Sequence, residues 1–352
     1  MTSSATPASV PIWRWALMGF CMIALLAGFI FAGGWLDPQR LSPRKLVNEI
    51  EDNSGRFPGY RRAHSQGICV SGYFESNGQA QAFSQAALFA PGRVAVTGRL
   101  SIGGANPHAA DTAVPVRSLA LQLQQADGQQ WRMAMNTPPV LAVATPEAFL
   151  AQVQAMRADP ATGKPDPARM QAFFAAHPES AAFREWAQQH KPTSSFASST
   201  FNSINAFYLV NAAGARQAVR WAWQPEAAVE LLPAGITAPH YLQDELFDRL
   251  QHGPVRWQMV FSLAEPTDPV ADATKSWPAS RAQLNAGTLV LEQATSQQDG
   301  ACRDINFDPL ILPTGIEPTA DPILQARSAA YAESFKRRTA EGVPQPANGV
   351  QP

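Results

Sequence analysis

From Trp15 to Trp35 the chain reads WALMGFCMIALLAGFIFAGGW, 21 residues without one charged side chain. A run of this length is the strongest single constraint in the sequence, because it must be buried in protein or in lipid. A bilayer core of ~30 Å is crossed by about 20 helical residues, and Trp at both ends suits the two interfaces. A cleaved signal peptide has a shorter apolar region, about 7–15 residues, followed by an A-x-A-like site, and no clean site follows here. Residues 15–35 are therefore read as an uncleaved transmembrane anchor behind an N-terminal tail, residues 1–14. Arg14 precedes the run, whereas Arg40, Arg44 and Lys45 follow it. By loop charge alone the remainder would face the cytoplasm.

The rest of the chain has a different character. Hydrophobic residues make up 45% of the chain and charged residues 16%, so a sizeable core is possible, while 30 Pro and 23 Gly call for many turns. Net charge is −1 and no basic stripe exists, which argues against a nucleic-acid partner. Residues 36–55 form a polar linker in which Leu46–Glu51 could begin a helix. Apolar runs at Ile68–Glu75, Val94–Ser101 and Arg117–Gln124 read as strands; Leu119, Leu121 and Leu123 alternate strictly. Trp131–Met135 and Val140–Val143 are candidates for two more. A helical insertion comes next, with helices predicted from Pro146 to Met156, over Met170–Ala176 and over Pro178–His190, each opened by Pro near its first turn. Strands resume at Ala206–Ala213 and Ala218–Gln224, joined through Gly214 as a hairpin. Gln243–Leu250 reads as a helix, Trp257–Leu263 and Gly287–Glu292 as strands, and residues 339–352 as a disordered tail. Together these give an α+β domain over residues 56–338 with an antiparallel sheet or barrel at its core. Cys21 lies in the anchor, leaving Cys69 and Cys302 as an even pair. They are either two buried thiols or a disulfide of an oxidising compartment, and spacing alone favours the thiols.

Three stretches carry chemistry. RRAHSQGICVSGYFE, Arg61 to Glu75, places His64 ahead of a strand. VTGRLSIGG, Val96 to Gly104, puts Arg99 inside an apolar strand, where an inward guanidinium needs an anionic partner. PILQARSAAYAESFKRR, Pro322 to Arg338, reads as a helix on which Arg327 and Tyr331, four residues apart, share a face. A guanidinium beside a phenolic oxygen favours its anionic form, a hard ligand suited to ferric haem iron. Each stretch alone also has an ordinary structural reading.

Taken together they resemble the haem catalases and their smaller catalase-related peroxidase relatives. FDPLILPTGIEPTADPILQARSAAY, Phe307 to Tyr331, resembles the stretch that leads into the haem-ligand helix, and RRAHSQG…GYFE resembles the distal histidine segment. MNTPP at Met135, HPES at His177 and YLVNAAG at Tyr208 occur in the family's order. The resemblance covers roughly residues 42 to 338. It implies a catalase-like antiparallel β-barrel with a helical insertion and a C-terminal haem-ligand helix, preceded by one transmembrane helix. It also implies haem b as cofactor, with Tyr331 as axial iron ligand and Arg327 holding it as tyrosinate. His64 would be the distal base, Ser101 would orient it, and Arg61 and Arg99 would pair with the haem propionates. Peroxide would be cleaved by way of oxoferryl haem, His64 moving a proton from the near to the leaving oxygen.

The likeness breaks at the distal amide. Family members carry two Asn before Thr-Pro, the first facing the substrate; here Met135 occupies that place, and an extended strand would turn Asn136 away. That substitution implies a peroxidase that reduces hydrogen peroxide or organic peroxides with an organic reductant, rather than a true catalase. The chain ends soon after Tyr331, which leaves no room for NADPH binding and implies a more open pocket. Such relatives are commonly exported, so the resemblance places the domain in the periplasm, anchored to the inner membrane, and raises the odds of a Cys69–Cys302 bond. A true catalase, a fatty-hydroperoxide isomerase and a non-catalytic haem or lipid carrier are the competing readings.

Overall fold

The computed structural model describes residues 11–33 and 41–342. The chain divides into two compact units at Ser42/Pro43. In the first, helix α1 (Ile12–Ala32) carries the apolar run, with its large side chains exposed. Trp35, the expected end of the span, lies outside the described residues.

The second unit begins earlier than the sequence suggests. Helix α2 (Pro43–Ser54) occupies most of the expected linker and buries Leu46 and Val47. Strands β1 (Gly67–Ser76), β2 (Gly92–Ile102), β3 (Arg117–Gln124) and β4 (Gln130–Asn136) form an antiparallel meander. The insertion holds α3 (Pro146–Ala155), α4 (Pro167–Ala176) and α5 (Ala181–Gln189). Val140–Val143 is not a strand: Leu141 N bonds Ala273 O. The short β5 (Phe201–Asn202) and β6 (Phe207–Val210) precede β7 (Arg216–Pro225). Gly214, at φ 79°, turns β6 into β7 as expected. Helix α6 (Tyr241–His252), β8 (Val255–Leu263), β9 (Gln283–Ser296), β10 (Ile316–Pro318) and α7 (Pro322–Glu341) complete the unit. Helices α3, α4 and α7 start alike: Thr145, Asp166 and Asp321 each cap a backbone N–H, with Pro at the first helical position.

Strands β1, β2, β3, β4, β5, β7, β8 and β9 close on themselves through the β7–β8 pairing, and β6 and β10 extend outward from β7. Closure removes sheet edges, which would otherwise present unpaired backbone groups. Inside, Phe74, Phe89, Trp131, Trp223, Trp257 and Phe261 are fully buried. Rings of this size bury about 150–250 Å² each, so the barrel is packed solid and holds no ligand. The ligand space lies on its outer face. Alternation places Leu100, Leu119 and Met135 inside, and Arg99, Ser101, Ser118, Ala120, Ala134 and Asn136 outside, against α2, α3 and α7.

The C-terminal helix runs past the expected start of a tail. Glu341, its last residue, pairs with Arg56 at 2.7 Å and with Arg62 at 2.6 Å, and accepts from Gly59 N at 2.9 Å. Arg62 also reaches Glu51 of α2, at 2.5 Å. The end of α7, α2 and the segment before His64 are thereby fastened together. Residues 343–352 of the expected tail lie outside the described residues.

Candidate active site

One cavity collects the side chains singled out above. Its walls include Arg61, His64, Arg99, Ser101, Asn136, Arg327 and Tyr331. Apolar residues of the covering helices, Leu46, Val47 and Ile50 of α2, Phe149 of α3 and Phe335 of α7, complete it.

The distal side is set by strand register. Ser101, Ser118 and Asn136 stand opposite one another on β2, β3 and β4. His64 sits above this row at φ 53°, a left-handed conformation that few residues other than Gly, Asn, Asp and His adopt. The turn is held by Ser65, whose Oγ donates to Ala105 O at 2.6 Å and whose carbonyl accepts from Arg99 at 3.1 Å. His64 Nδ1 lies 2.9 Å from Ser118 Oγ, and Ser118 Oγ donates to Asn136 Oδ1. Burial first, then the positive field of Arg99, Arg327 and Arg61, pushes His64 down to about 4 despite a backbone contact at Ile102. The ring is therefore neutral at ordinary pH, as a base must be.

Two expectations are corrected here. The residue at His64 Nδ1 is Ser118 of β3, not Ser101, its cross-strand neighbour. Met135 borders the cavity, but its side chain belongs to the barrel interior, where its sulfur accepts from Trp221 Nε1 at 3.2 Å. Asn136, expected to turn away, is the residue on the His64 side. The stretch is extended, as assumed, but the register gives the outer face to residue 136.

The proximal side comes from one helix. Arg327 Nη2 lies 3.3 Å from the Tyr331 hydroxyl and donates to Ala134 O at 2.6 Å; its Nη1 donates to Asn205 Oδ1 at 2.5 Å. Asn205 Nδ2 donates to Asp321 Oδ2 at 2.8 Å, while Asp321 Oδ1 caps Ile323 N at 2.9 Å. Asp321 is fully buried, which raises its carboxyl. The cap of α7 and the orientation of Tyr331 are thus one network. Asn205 and Asp321 escaped the sequence reading: Asp321 caps the helix that carries Tyr331, but its bond to Asn205 joins residues 116 apart in the chain.

A third group is cationic. Arg61 donates to the carbonyls of Cys302 (3.1 Å) and Ile305 (3.0 Å), Arg99 donates to Gln297 Oε1 at 2.8 Å, and Arg338 donates to Arg303 O. All three are lowered, burial being the largest cause; Arg338 lowers both Arg61 and Arg99. The buried Nε of Arg338 has no hydrogen-bond partner among the described residues. Guanidinium groups gathered without a carboxylate in hydrogen-bond contact call for an anion. Arg338 was missed, although its place seven residues beyond Tyr331, two helical turns on, puts it on the same face.

The cluster is braced covalently. Cys69 and Cys302 form a disulfide, 233 residues apart in sequence, so the bonded alternative is the one the structure adopts. Gly300 sits so close to Cys69 that an added Cβ would collide with it. Gly67 likewise leaves room for the Arg99 guanidinium, whose carbon would lie 2.5 Å from an added Cβ.

Comparison with known proteins decides the family. The catalase family model matches residues 44–347. The chain belongs to the catalase family. A catalase-related peroxidase of Synechococcus elongatus is 35% identical over 335 residues, covering 93% of this chain and 97% of that protein. One from Mycolicibacterium paratuberculosis is 30% identical over 303 residues, covering 85% and 95%. A fungal catalase structure superposes with a TM-score of 0.72 at 21% identity, over 82% of this chain and 62% of that one. The α+β barrel fold read from the sequence is therefore the catalase fold, and the protein is a catalase-related haem enzyme acting on peroxides. The residues lining the cavity fit haem: a tyrosine oxygen, an imidazole and an amide, apolar walls, and buried cations able to pair with carboxylates.

Proposed function

We propose that this catalase-family enzyme is a haem b peroxidase that reduces hydrogen peroxide or an organic peroxide at the expense of an organic reductant. Haem, when bound, would supply the redox chemistry that peroxide reduction needs. Tyr331 would hold the iron, its hydroxyl oriented by Arg327, which Asn205 and Asp321 fix in place. Arg61, Arg99 and Arg338 take the propionates, which supply the anion that the cluster lacks. His64 accepts the proton from the near oxygen of the peroxide and delivers it to the departing oxygen, giving water. Asn136 donates a hydrogen bond to the peroxide beside it. The observation that carries this reading is the placement of His64 and Tyr331 on the walls of one cavity, edged by Arg61, Arg99 and Arg338, which make no carboxylate hydrogen bond among the described residues.

Asn136 favours a second reading. Catalase turnover was disfavoured on the ground that Met135 replaces the distal amide, yet Met135 faces the barrel. Hydrogen peroxide disproportionation is therefore retained as a side activity. Oxygen evolution and dye oxidation measured side by side separate the two. Donor oxidation should exceed oxygen release in the wild type. Asn136→Leu should lower both by up to about tenfold, since one hydrogen bond is worth about 0.5–1.5 kcal/mol, and Met135→Leu should alter neither. Oxygen release that dominates in the wild type would replace the peroxidase reading with the catalase one.

Helix α1 is proposed to anchor the enzyme to the inner membrane with the haem unit in the periplasm. The disulfide supports an oxidising compartment over the loop-charge signal. Protease treatment of spheroplasts should degrade the haem unit; protection from added protease would place it inside.

A further inference from the structure

Gln297, the residue that follows β9, holds the turn of His64 and the guanidinium of Arg99 with one side chain. Its Nε2 donates to Ser65 O at 3.0 Å, and its Oε1 accepts from Arg99 Nε at 2.8 Å and also from Arg99 Nη2. Arg99 Nη2 donates in addition to the same Ser65 carbonyl, at 3.1 Å, which closes the ring of contacts. All three residues are buried. The amide has one workable orientation here, because its NH₂ turned toward a guanidinium would meet only donors. A guanidinium carries five N–H donors. Gln297 and Ser65 engage those of Nε and Nη2; the pair on Nη1 makes no hydrogen bond among the described residues. A glutamate of the same shape would accept the same bonds, but it would neutralise the cation and could not donate to Ser65 O.

We propose that Gln297 is a positioning residue: its neutral amide ties the His64 turn to Arg99 and leaves the charge of that guanidinium, with its Nη1 hydrogens, for a carboxylate of the bound cofactor. The inference rests on the proposed roles of His64 and Arg99. The same unneutralised charge acts on the imidazole. Facing His64 are Arg99 from β2, Arg327 from α7, Arg61 from its own segment, the Ser118 hydroxyl from β3 and a backbone bond at Ile102. After burial, Arg99 does most to keep the ring neutral, and the Ile102 bond opposes it.

Two variants of the full-length protein in detergent micelles separate charge from packing. Gln297→Glu adds a carboxylate at constant shape; Gln297→Leu removes the bonds and adds no charge. Haem and its dimethyl ester, which lacks the carboxylates, are titrated into each haem-free protein and followed by absorption. Gln297→Glu should weaken haem about 10- to 100-fold, the scale of a hydrogen bond to a charged group, and leave the ester unchanged. Gln297→Leu should keep the wild-type preference for haem over its ester. In the haem-free proteins, proton resonance of the His64 ring, identified by its loss in His64→Gln, should titrate at about 4 in the wild type. Gln297→Glu should raise its proton affinity about tenfold or more, and Gln297→Leu should not. Exchange of the Ser65 amide, which donates to Gly104 O at 3.1 Å, should quicken roughly tenfold in Gln297→Leu as the turn loses its tie. An equal loss of preference in both variants, or in neither, overturns the role of the neutral amide, as does a His64 titration that Gln297→Glu leaves in place. Unchanged Ser65 exchange in Gln297→Leu overturns the tie, whether or not the glutamate variant folds. Failure of the haem reading would show separately, as a wild type that binds no haem or binds haem and its ester alike.

Discussion

The two sides of the cavity are built by different means. The proximal side is local: Arg327 and Tyr331 lie four residues apart on α7, and helical geometry alone puts the guanidinium at the phenol, 3.3 Å away. The distal side is non-local: His64, Ser118 and Asn136 come from a turn and two strands, and the β3–β4 register brings the last two together. A helical pair survives any change that leaves the helix intact. A strand row moves every side chain to the other face if the register slips by one. On the proposed reading, cofactor binding would fall to the simpler construction and proton transfer to the more exacting one.

The sharpest way to break this division is to delete one group from each side. Tyr331→Phe should lose most bound haem, read from the absorption spectrum. His64→Ala should retain haem and lose roughly 10²–10⁴-fold in peroxide consumption, the usual scale for a positioned acid–base. A Tyr331→Phe protein with full haem and an unchanged spectrum would remove the proximal assignment.

The disulfide tests whether the distal construction depends on its brace. Cys302 lies in the segment whose carbonyls hold Arg61. Closing so long a loop stabilises by about 5 kcal/mol in the chain-entropy model. Cys69→Ser with Cys302→Ser should lower the thermal midpoint by several degrees and weaken haem retention, with the α7 pair unaffected. Two free thiols in the isolated wild type would contradict the brace itself.

The smallest expected effect is on pH dependence. In the haem-free protein, burial and the neighbouring arginines hold His64 at about 4, against about 6.5 for an unfolded histidine. The unfolded chain then binds more protons between these values, so stability rises with pH across that window and levels off above it. The full swing is roughly 3 kcal/mol. At Glu341 burial opposes ionisation, but hydrogen bonds from Arg62, Gly59 and Arg56 prevail and hold it at about 2. Its contribution is present above the ordinary glutamate range near 4.5 and is lost as pH falls toward 2. Denaturant unfolding from pH 4 to 8 should therefore show a rising slope that His64→Gln reduces, the remainder coming from His190, which burial also lowers. A flat profile in the parent would mean that His64 is not held neutral by its surroundings.

Much of this was legible in the residues. The strands, the Pro-started helices and the α7 pair follow from period and capping, which depend on neighbours in sequence. The apolar run of α1 could be read by length alone. Helix α2 was read mainly as linker because its few apolar residues, Leu46, Val47 and Ile50, acquire meaning only where α7 and the cavity cover them. Arg338 was within reach of a helical-face argument and Asp321 of a capping one, whereas the link between Asp321 and Asn205 was not, since 116 residues separate them.

The part that the sequence determined by itself is therefore local: an apolar span, an antiparallel set of strands, and a helix presenting Arg327 and Tyr331 together. Only the tertiary structure decided parity and proximity. Met135 and Asn136 are adjacent in an extended strand, and sequence states only that they face opposite ways. Which of them meets His64 depends on how β4 pairs with β3 and on which face the closed barrel turns outward. That choice is fixed by the burial of Met135 against Trp221, far away in the chain, and it leaves the amide on the side of Ser118 and His64.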